Sequence, residues 1–332
     1  MNWELIFSET LSQALGPTAV VYALAAIGLN VQFGYTGLLN FGQAAFAGVC
    51  AYGLAMGVLT FGWPFWPSVL AGLVGAALLA LVLGVTTLRL RADYLAIATV
   101  AAAEALRRLV RMVEMSPWTG GAEGLRGFSD TFRDYGRELG ITQNLRLGPL
   151  FFTGTNLWVM IVGWGLVAVT LLVVWLAMRS PWGRVLKSIR EDEDAARSLG
   201  KNVFSYKVQA LLLGGVIGGL AGLIQGLRFG NVAPDQFHTT FTFYVYAVLI
   251  LGGVARVFGP VVGAVLFWGI YNFLNQFLRE LEKLKVLPTS ILTADKVDAL
   301  VFILLGAGII ALLIFRPQGI FGDRREISFH VR

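Results

Sequence analysis

Long runs without a charged residue dominate this chain and restrict what it can fold into. Of its 332 residues, 56% are hydrophobic and only 14% are charged. A helix needs about 20 mostly apolar residues to cross a bilayer, and several windows reach that length. We predict an all-α, polytopic helical membrane protein with one domain over residues 1–332. Nine hydrophobic passes are predicted, at residues 17–33, 38–59, 67–88, 94–113, 155–178, 204–227, 238–254, 259–278 and 297–315.

The rest of the composition excludes several kinds of site. The net charge of +6 lies in loops between apolar runs, where it favours contact with membrane lipid over nucleic acid. One cysteine and two distant histidines argue against a disulfide, a metal site or a catalytic cluster. Basic residues slightly favour alternate loops, which predicts the amino end outside, the carboxyl end in the cytoplasm and an outer loop over about 114–154.

A charged segment separates the fifth and sixth passes. Ser188 precedes Glu191 by three residues, the spacing of a capping box, and Gly200 lies where a left-handed residue stops a helix. We predict a cytoplasmic helix over about 188–200, with acids in its first turn and a small Ala195/Ala196 face open to a partner. An ordinary solvated loop helix is the alternative. The candidate docking residues are Glu191, Asp192, Glu193, Asp194, Ala195, Ala196, Arg197, Ser198 and Gly200.

Polar side chains follow a glycine-rich interruption, Gly34 to Gly37, between the first two passes. Thr36, Asn40 and Gln43 recur at helical spacing and are predicted to share one helix face. Unpaired amides are costly in hydrocarbon. These side chains therefore either line a translocation pathway or form interhelical hydrogen bonds, and the sequence leaves both interpretations open.

One acid lies deep in the fourth pass. Glu104 is followed by Arg107 and Arg108 at i+3 and i+4, where opposite charges pair on a helix. A structural ion pair is the favoured interpretation, and coupling to protons is the alternative.

The glycine-containing segments predict helix packing and not nucleotide binding. Gly200-Lys201-Asn202, the nearest approach to a P-loop, lacks the upstream glycine and the following Ser or Thr. We therefore predict that this chain binds no cofactor. Small-xxx-small spacing, which permits close helix contact in lipid, is found at Gly214, Gly215, Gly218, Gly219 and Gly222.

Several motifs resemble one group of transporters. Asp194-Ala195-Ala196 with Gly200 resembles the EAA loop, by which ABC importer permeases dock on their ATPase subunits. The motifs GYTGLL (34–39), FGQAAF (41–46), TGGAEGL (119–125), GPVVGA (259–264) and RPQGIFG (316–322) resemble, in the same order, those of branched-chain amino acid permeases of the LivM type. That family often carries Ser and His where this chain has Asn40 and Gln43.

The resemblance implies a permease subunit of an ATP-driven ABC importer that works by alternating access in the bacterial inner membrane. The implied partners are a second homologous permease, two ATPase subunits, on which ATP and Mg are expected, and a periplasmic or extracellular substrate-binding protein. The implied cargo is branched-chain or other apolar amino acids, with urea or short amides as the alternative. The rival classes are a stand-alone ion-coupled secondary transporter, which usually has midplane acids without an adjacent counter-charge, and a membrane scaffold.

Overall fold

The computed structural model describes residues 3–88, 92–141, 144–147, 150–284, 294–316 and 319–321. The helices are α1 (Trp3–Ala14), α2 (Pro17–Leu29), a π-helix (Asn30–Gly34), α3 (Gln43–Leu59), α4 (Phe65–Thr87), α5 (Ala92–Arg111), α6 (Ser116–Thr119), α7 (Asp130–Glu138), α8 (Gly154–Arg179), α9 (Pro181–Glu191), α10 (Glu193–Ser198), α11 (Val203–Phe229), α12 (Thr239–Gly252), α13 (Gly259–Lys283) and α14 (Ala294–Phe315). Two 3₁₀ turns, Val113–Met115 and Pro234–Phe237, and the short strands β1 (Leu125–Arg126), β2 (Leu145–Leu147), β3 (Leu150–Phe152) and β4 (Asn231–Val232) complete the described part of the chain.

Six stretches of the described residues are long and apolar enough to cross a membrane. They are Ile6–Gly34, Phe65–Thr87, Gly154–Arg179, Val203–Phe229, Gly259–Lys283 and Lys296–Phe315. Helix α3 is apolar but shorter, and α12 has only 14 residues. Helix α5 is not among the six, and its second half carries the charges of Glu104, Arg107, Arg108 and Arg111. The predicted helical membrane fold is confirmed, whereas the count of nine passes stays a prediction.

The core of the bundle forms where α11 packs against α2, α3 and α4. Gly214 of α11 faces the backbone of Gly28 in α2, and Gly222 faces the backbone of Ala47 in α3. A Cβ atom at either α11 glycine would overlap the opposite carbonyl oxygen, so the helices approach this closely only without side chains there. The predicted packing role of the α11 glycines is confirmed.

Residues 114–154, predicted as an outer loop, contain regular structure. Helices α6 and α7 lie in this segment, and β1 pairs antiparallel with β4, so that Leu125 lies opposite Val232. The indole Nε1 of Trp158 donates to the carbonyl oxygen of Phe132 at 2.8 Å, which attaches α7 to α8. The segment is therefore packed onto the ends of the spanning helices.

Gly222→Val is expected to destabilise the bundle by about 1–3 kcal/mol, because overpacking forces backbones apart. The change should lower the Tm of the purified protein in detergent. Gly165→Val in α8 is the matched control, since nothing lies within 4 Å of a Cβ atom added there. An equal loss of stability in both variants would contradict the packing role of α11.

Candidate functional site

The docking segment, residues 181–200, leaves the spanning helix α8 at a sharp turn. Ser180 has extended backbone angles (φ −74°, ψ 169°), and Pro181 occupies the first turn of α9. A proline is tolerated there because its missing N–H has no helical partner in any case. Gly183 allows the first turn of α9 to pack against the backbone of Met178. Pro181 and Gly183 thus account for the break between the membrane helix α8 and the charged docking segment.

The docking segment contains two helices, so the predicted single helix over 188–200 is wrong. Helix α9 starts at Pro181, which makes Ser188 an interior residue of that helix. The Ser188 hydroxyl donates to the carbonyl oxygen of Val185 at 2.8 Å and caps nothing. The predicted capping box with Glu191 is therefore absent.

Asp192 is the residue that caps α10. Its backbone is extended (φ −155°, ψ 107°), which separates α9 from α10. Its Oδ1 accepts from the backbone N–H groups of Asp194, at 3.0 Å, and Ala195, at 2.9 Å. Asp is as effective an N-cap as Ser. Glu193 and Asp194 then occupy the first turn, where the helix dipole favours negative charge.

The exposed face of α10 differs from the predicted one. Ala196 is only 2% exposed and packs with Ile189 and Val203, so it cannot meet a partner. Ala195 is exposed, and Leu199, which sequence reasoning missed, is 78% exposed. Ala195 and Leu199 are four residues apart and lie on one helix face, a spacing that the sequence already contained. The predicted Ala195/Ala196 face is wrong, and Ala195 with Leu199 replaces it.

Glu193 forms one ion pair within α10 and one that attaches α10 to α11. Arg197 Nη2 lies 2.9 Å from Glu193 Oε1, and Lys207 of α11 pairs with the other oxygen of the same carboxylate. Gly200 ends the segment with a φ of 75°, as the sequence predicts. Docking on a partner stays a prediction. The remaining candidate docking residues Glu191, Asp192, Asp194 and Ser198 are exposed.

Residues 30–42, here called the interrupted segment, join α2 to α3. The π-helix Asn30–Gly34 continues α2, the chain leaves helical geometry at Gly37 (φ 74°), and α3 begins at Gln43. The chain is still helical at Tyr35 and Thr36, so the interruption predicted over Gly34–Gly37 begins only at Gly37 and extends to Gly42. Turns of π-helix are rare and are frequently found at functional sites.

The non-helical stretch 37–42 separates the three polar residues that were predicted to share a helix face. Thr36 precedes the stretch, Asn40 lies inside it and Gln43 follows it. The prediction of a common helical face is therefore wrong. All three side chains are nevertheless buried, at no more than 2% exposure.

Hydrogen bonds between elements hold the buried amides. Asn40 Nδ2 donates to Gln32 Oε1 at 2.7 Å, and Gln32 Nε2 donates to the carbonyl oxygen of Leu211 in α11 at 3.1 Å. Gln43 Nε2 donates to the carbonyl oxygen of Ala25 in α2 at 3.1 Å. These contacts belong to the interhelical interpretation, and lining a pathway stays a prediction. Sequence reasoning missed Gln32, because one amide inside an apolar run has no spacing pattern.

Glu104 lies against both predicted arginines. Its Oε1 is 2.8 Å from Arg107 Nη2 and 2.9 Å from Arg108 Nε. Arg107 Nη1 also lies 2.7 Å from Oδ1 of Asp235, which follows α11 and is too distant in sequence to have been found by spacing. The carboxylate thus has counter-charges on two sides, which supports a structural ion pair over proton coupling.

Metal ligands are not grouped in the described part of the chain. No set of three or more His, Cys, Asp or Glu residues is placed there to hold an ion, and Cys50 is buried.

Comparison with known proteins covers nearly the whole chain. The family described as the branched-chain amino acid transport system / permease component matches residues 15–313. This chain belongs to that family. It is 30% identical over 330 residues to the high-affinity branched-chain amino acid transport system permease protein LivM of Salmonella typhimurium. The aligned region covers 96% of this chain and 71% of that protein.

Two further relatives extend the comparison. The probable branched-chain amino acid transport permease protein LivM of Methanocaldococcus jannaschii is 22% identical, over 93% of this chain and 92% of its own length. The nucleoside ABC transporter permease protein NupC of Lactococcus lactis is 26% identical, over 77% of this chain and 79% of its own. The predicted family is confirmed, and the chain is a multi-pass membrane permease component and not a scaffold or a stand-alone secondary transporter.

Asn40→Leu distinguishes the two interpretations of the buried amides. The change removes the donor to Gln32 Oε1, and an unsatisfied buried acceptor is expected to cost about 1–3 kcal/mol of stability. The Tm in detergent should fall accordingly. Thr86→Val, which removes an exposed hydroxyl bonded within its own helix, is the control and should leave the Tm nearly unchanged. An unchanged Tm together with lost transport would favour the pathway interpretation.

Proposed function

We propose that this chain is half of the transmembrane conduit of an ATP-driven ABC importer, which moves branched-chain or other apolar amino acids across the bacterial inner membrane by alternating access. The docking segment carries the proposal. It consists of two defined helices between the spanning helices α8 and α11, and it presents an exposed face of Ala195 and Leu199. Because this chain belongs to a family of permease components, we assign this face to contact with the subunits that supply energy.

Separate subunits would supply that energy, because this sequence has no P-loop to hold ATP phosphates. We propose that two ATPase subunits bind ATP and Mg, and that each permease seats its docking segment on one of them. Burying the side chain of Leu199 in a partner groove would contribute about 1.5–3 kcal/mol. The exposed carboxylates of Glu191 and Asp194 would favour a basic rim around that groove.

The uneven burial of the spanning stretches supports a second homologous permease. In one apolar 18-residue window of each stretch, the buried share is 83% for α2 and 72% for α11. The corresponding shares for α4, α8, α13 and α14 are 28%, 33%, 22% and 17%. Part of the exposed apolar surface would face lipid and part would face the second permease. A substrate-binding protein would deliver cargo to the side that bears residues 114–154, with the amino end outside and the carboxyl end in the cytoplasm.

The proposed cargo rests on the relatives that bear the LivM name, because one of them matches 96% of this chain. The relative named for nucleosides covers less of the chain, 77%, at lower identity.

The proposal is tested by ATP-dependent uptake of labelled leucine into vesicles that contain this chain with its second permease, ATPase subunits and binding protein. Leu199→Glu should weaken capture of the ATPase subunits by about tenfold or more, since a buried leucine contact is replaced by a desolvated charge. Uptake should fall in parallel. Leu139→Glu, at a leucine that is 64% exposed in the 114–154 segment, is the matched control and should leave capture unchanged.

Two results would contradict the proposal. One is Leu199→Glu capturing ATPase subunits as well as the wild type does. The other is uptake by this chain alone, driven by a proton or sodium gradient.

A further inference from the structure

Arg190 joins the docking segment to the interrupted segment. Its Nη1 donates to the carbonyl oxygen of Gly34 at 2.6 Å, across 156 positions of sequence. Gly34 is the last residue of the π-helix and lies three residues before Gly37, where the chain leaves helical geometry. A charge-assisted bond to a backbone carbonyl is among the stronger hydrogen bonds in proteins. One arginine therefore links the candidate energy-receiving helices to the break in the membrane bundle.

Further contacts of α9 lie around this bond. Lys187 Nζ lies 5.8 Å from the ring centroid of Tyr35, within the range of a cation–π contact. The backbone of Gly37 lies against Arg190, so that a Cβ atom added at Gly37 would be 3.2 Å from Arg190 Cγ. The buried side chain of Leu186 holds the same helix in the core. Helix α9 thus contacts residues 34–37 on one side through Arg190 and Lys187.

The other end of the π-helix holds the turn between α12 and α13. Asn30 Oδ1 accepts from the backbone N–H of Ala255 at 2.9 Å, and Asn30 Nδ2 donates to the carbonyl oxygen of Arg256 at 2.8 Å. Ala255 has a φ of 60°, which is unfavourable for a residue with a side chain. The two bonds from Asn30 therefore help to hold this turn in place. A displacement of the π-helix would reach α12 and α13 directly.

We propose that Arg190 is the positioning residue through which the docking segment moves the interrupted segment, and with it the α12–α13 turn, during transport. This inference rests on the proposed function, because it assigns the route by which the work of the ATPase subunits enters the bundle. The docking segment and residues 34–37 move as one body in this arrangement. Loss of the Arg190 contact uncouples them while leaving the docking face of Ala195 and Leu199 in place.

The first test compares Arg190→Ala and Arg190→Lys in the assembled complex in vesicles. The readout is leucine taken up per ATP hydrolysed, together with capture of the ATPase subunits. Arg190→Ala should keep capture and hydrolysis but lose about tenfold or more of the uptake per ATP, as expected for loss of one charged hydrogen bond. Arg190→Lys, whose ammonium also donates to carbonyls, should recover part of that ratio. Arg179→Ala, at an exposed arginine that ends α8 outside the docking segment, is the control and should keep the wild-type ratio.

The outcomes separate this inference from the proposed function. A wild-type complex without ATP-dependent uptake would contradict the proposed function. A wild-type complex that transports, with Arg190→Ala at the same uptake per ATP, would overturn only the role of Arg190.

A disulfide tests whether the two segments move together. A Cβ atom added at Gly37 lies 3.8 Å from Arg190 Cβ, within the range that a disulfide spans. In the double variant Gly37→Cys, Arg190→Cys, the reduced form should be uncoupled and the oxidised form should recover uptake per ATP. The strain of a side chain at the positive φ of Gly37 is the same in both forms, and the native Cys50 is buried. Oxidation that leaves uptake per ATP at or below the level of the reduced form would show that joining the two segments does not restore coupling, and the inference would be wrong.

Discussion

No water reaches the hydrocarbon core of a bilayer, so backbone groups there need partners within the protein. The interrupted segment meets this constraint with side chains from several elements. The side-chain oxygen of Asn40 accepts from the N–H of Gly42 at 2.8 Å, and the hydroxyl of Thr99 in α5 accepts from the N–H of Phe41 at 3.0 Å. Thr242 of α12 does the same for the first turn of α3. The break in one helix therefore fixes the positions of two others.

The glycine face of α11 and the buried amides form a single arrangement. Because Gly214 and Gly28 bring α11 close to α2, the carbonyl oxygen of Leu211 comes within reach of Gln32. Gln32 in turn orients Asn40 inside the non-helical stretch. Bulkier residues on α11 would separate the helices and deprive the Gln32 amide of its acceptor on Leu211. The close packing of α11 on α2 and the hydrogen bonds of the buried amides thus depend on each other.

Features that depend on local sequence could be predicted, and those that depend on tertiary contact could not. Span length and hydropathy identified α4, α8 and α11, and the need for a positive φ identified the stop at Gly200. The helix cap was misplaced because Ser188 and Asp192 both have the right chemistry, and the choice depends on where α9 begins. The burial of Ala196 and the pairing of Arg107 with Asp235 arise only when distant elements meet.

The hydrogen bond from Gln43 to Ala25 also fixes how far into the bundle α3 begins. Ala25 lies nine residues before Gly34 along a continuous helix, which places the start of α3 about 13 Å further into the bundle than the end of the π-helix. The non-helical residues 37–42 cover most of that distance between the end of the helix and the start of α3. The 17 residues of α3 then add about 25 Å. The two distances together exceed the thickness of a hydrocarbon layer, so α3 with the stretch before it is long enough to cross one, although α3 alone is not.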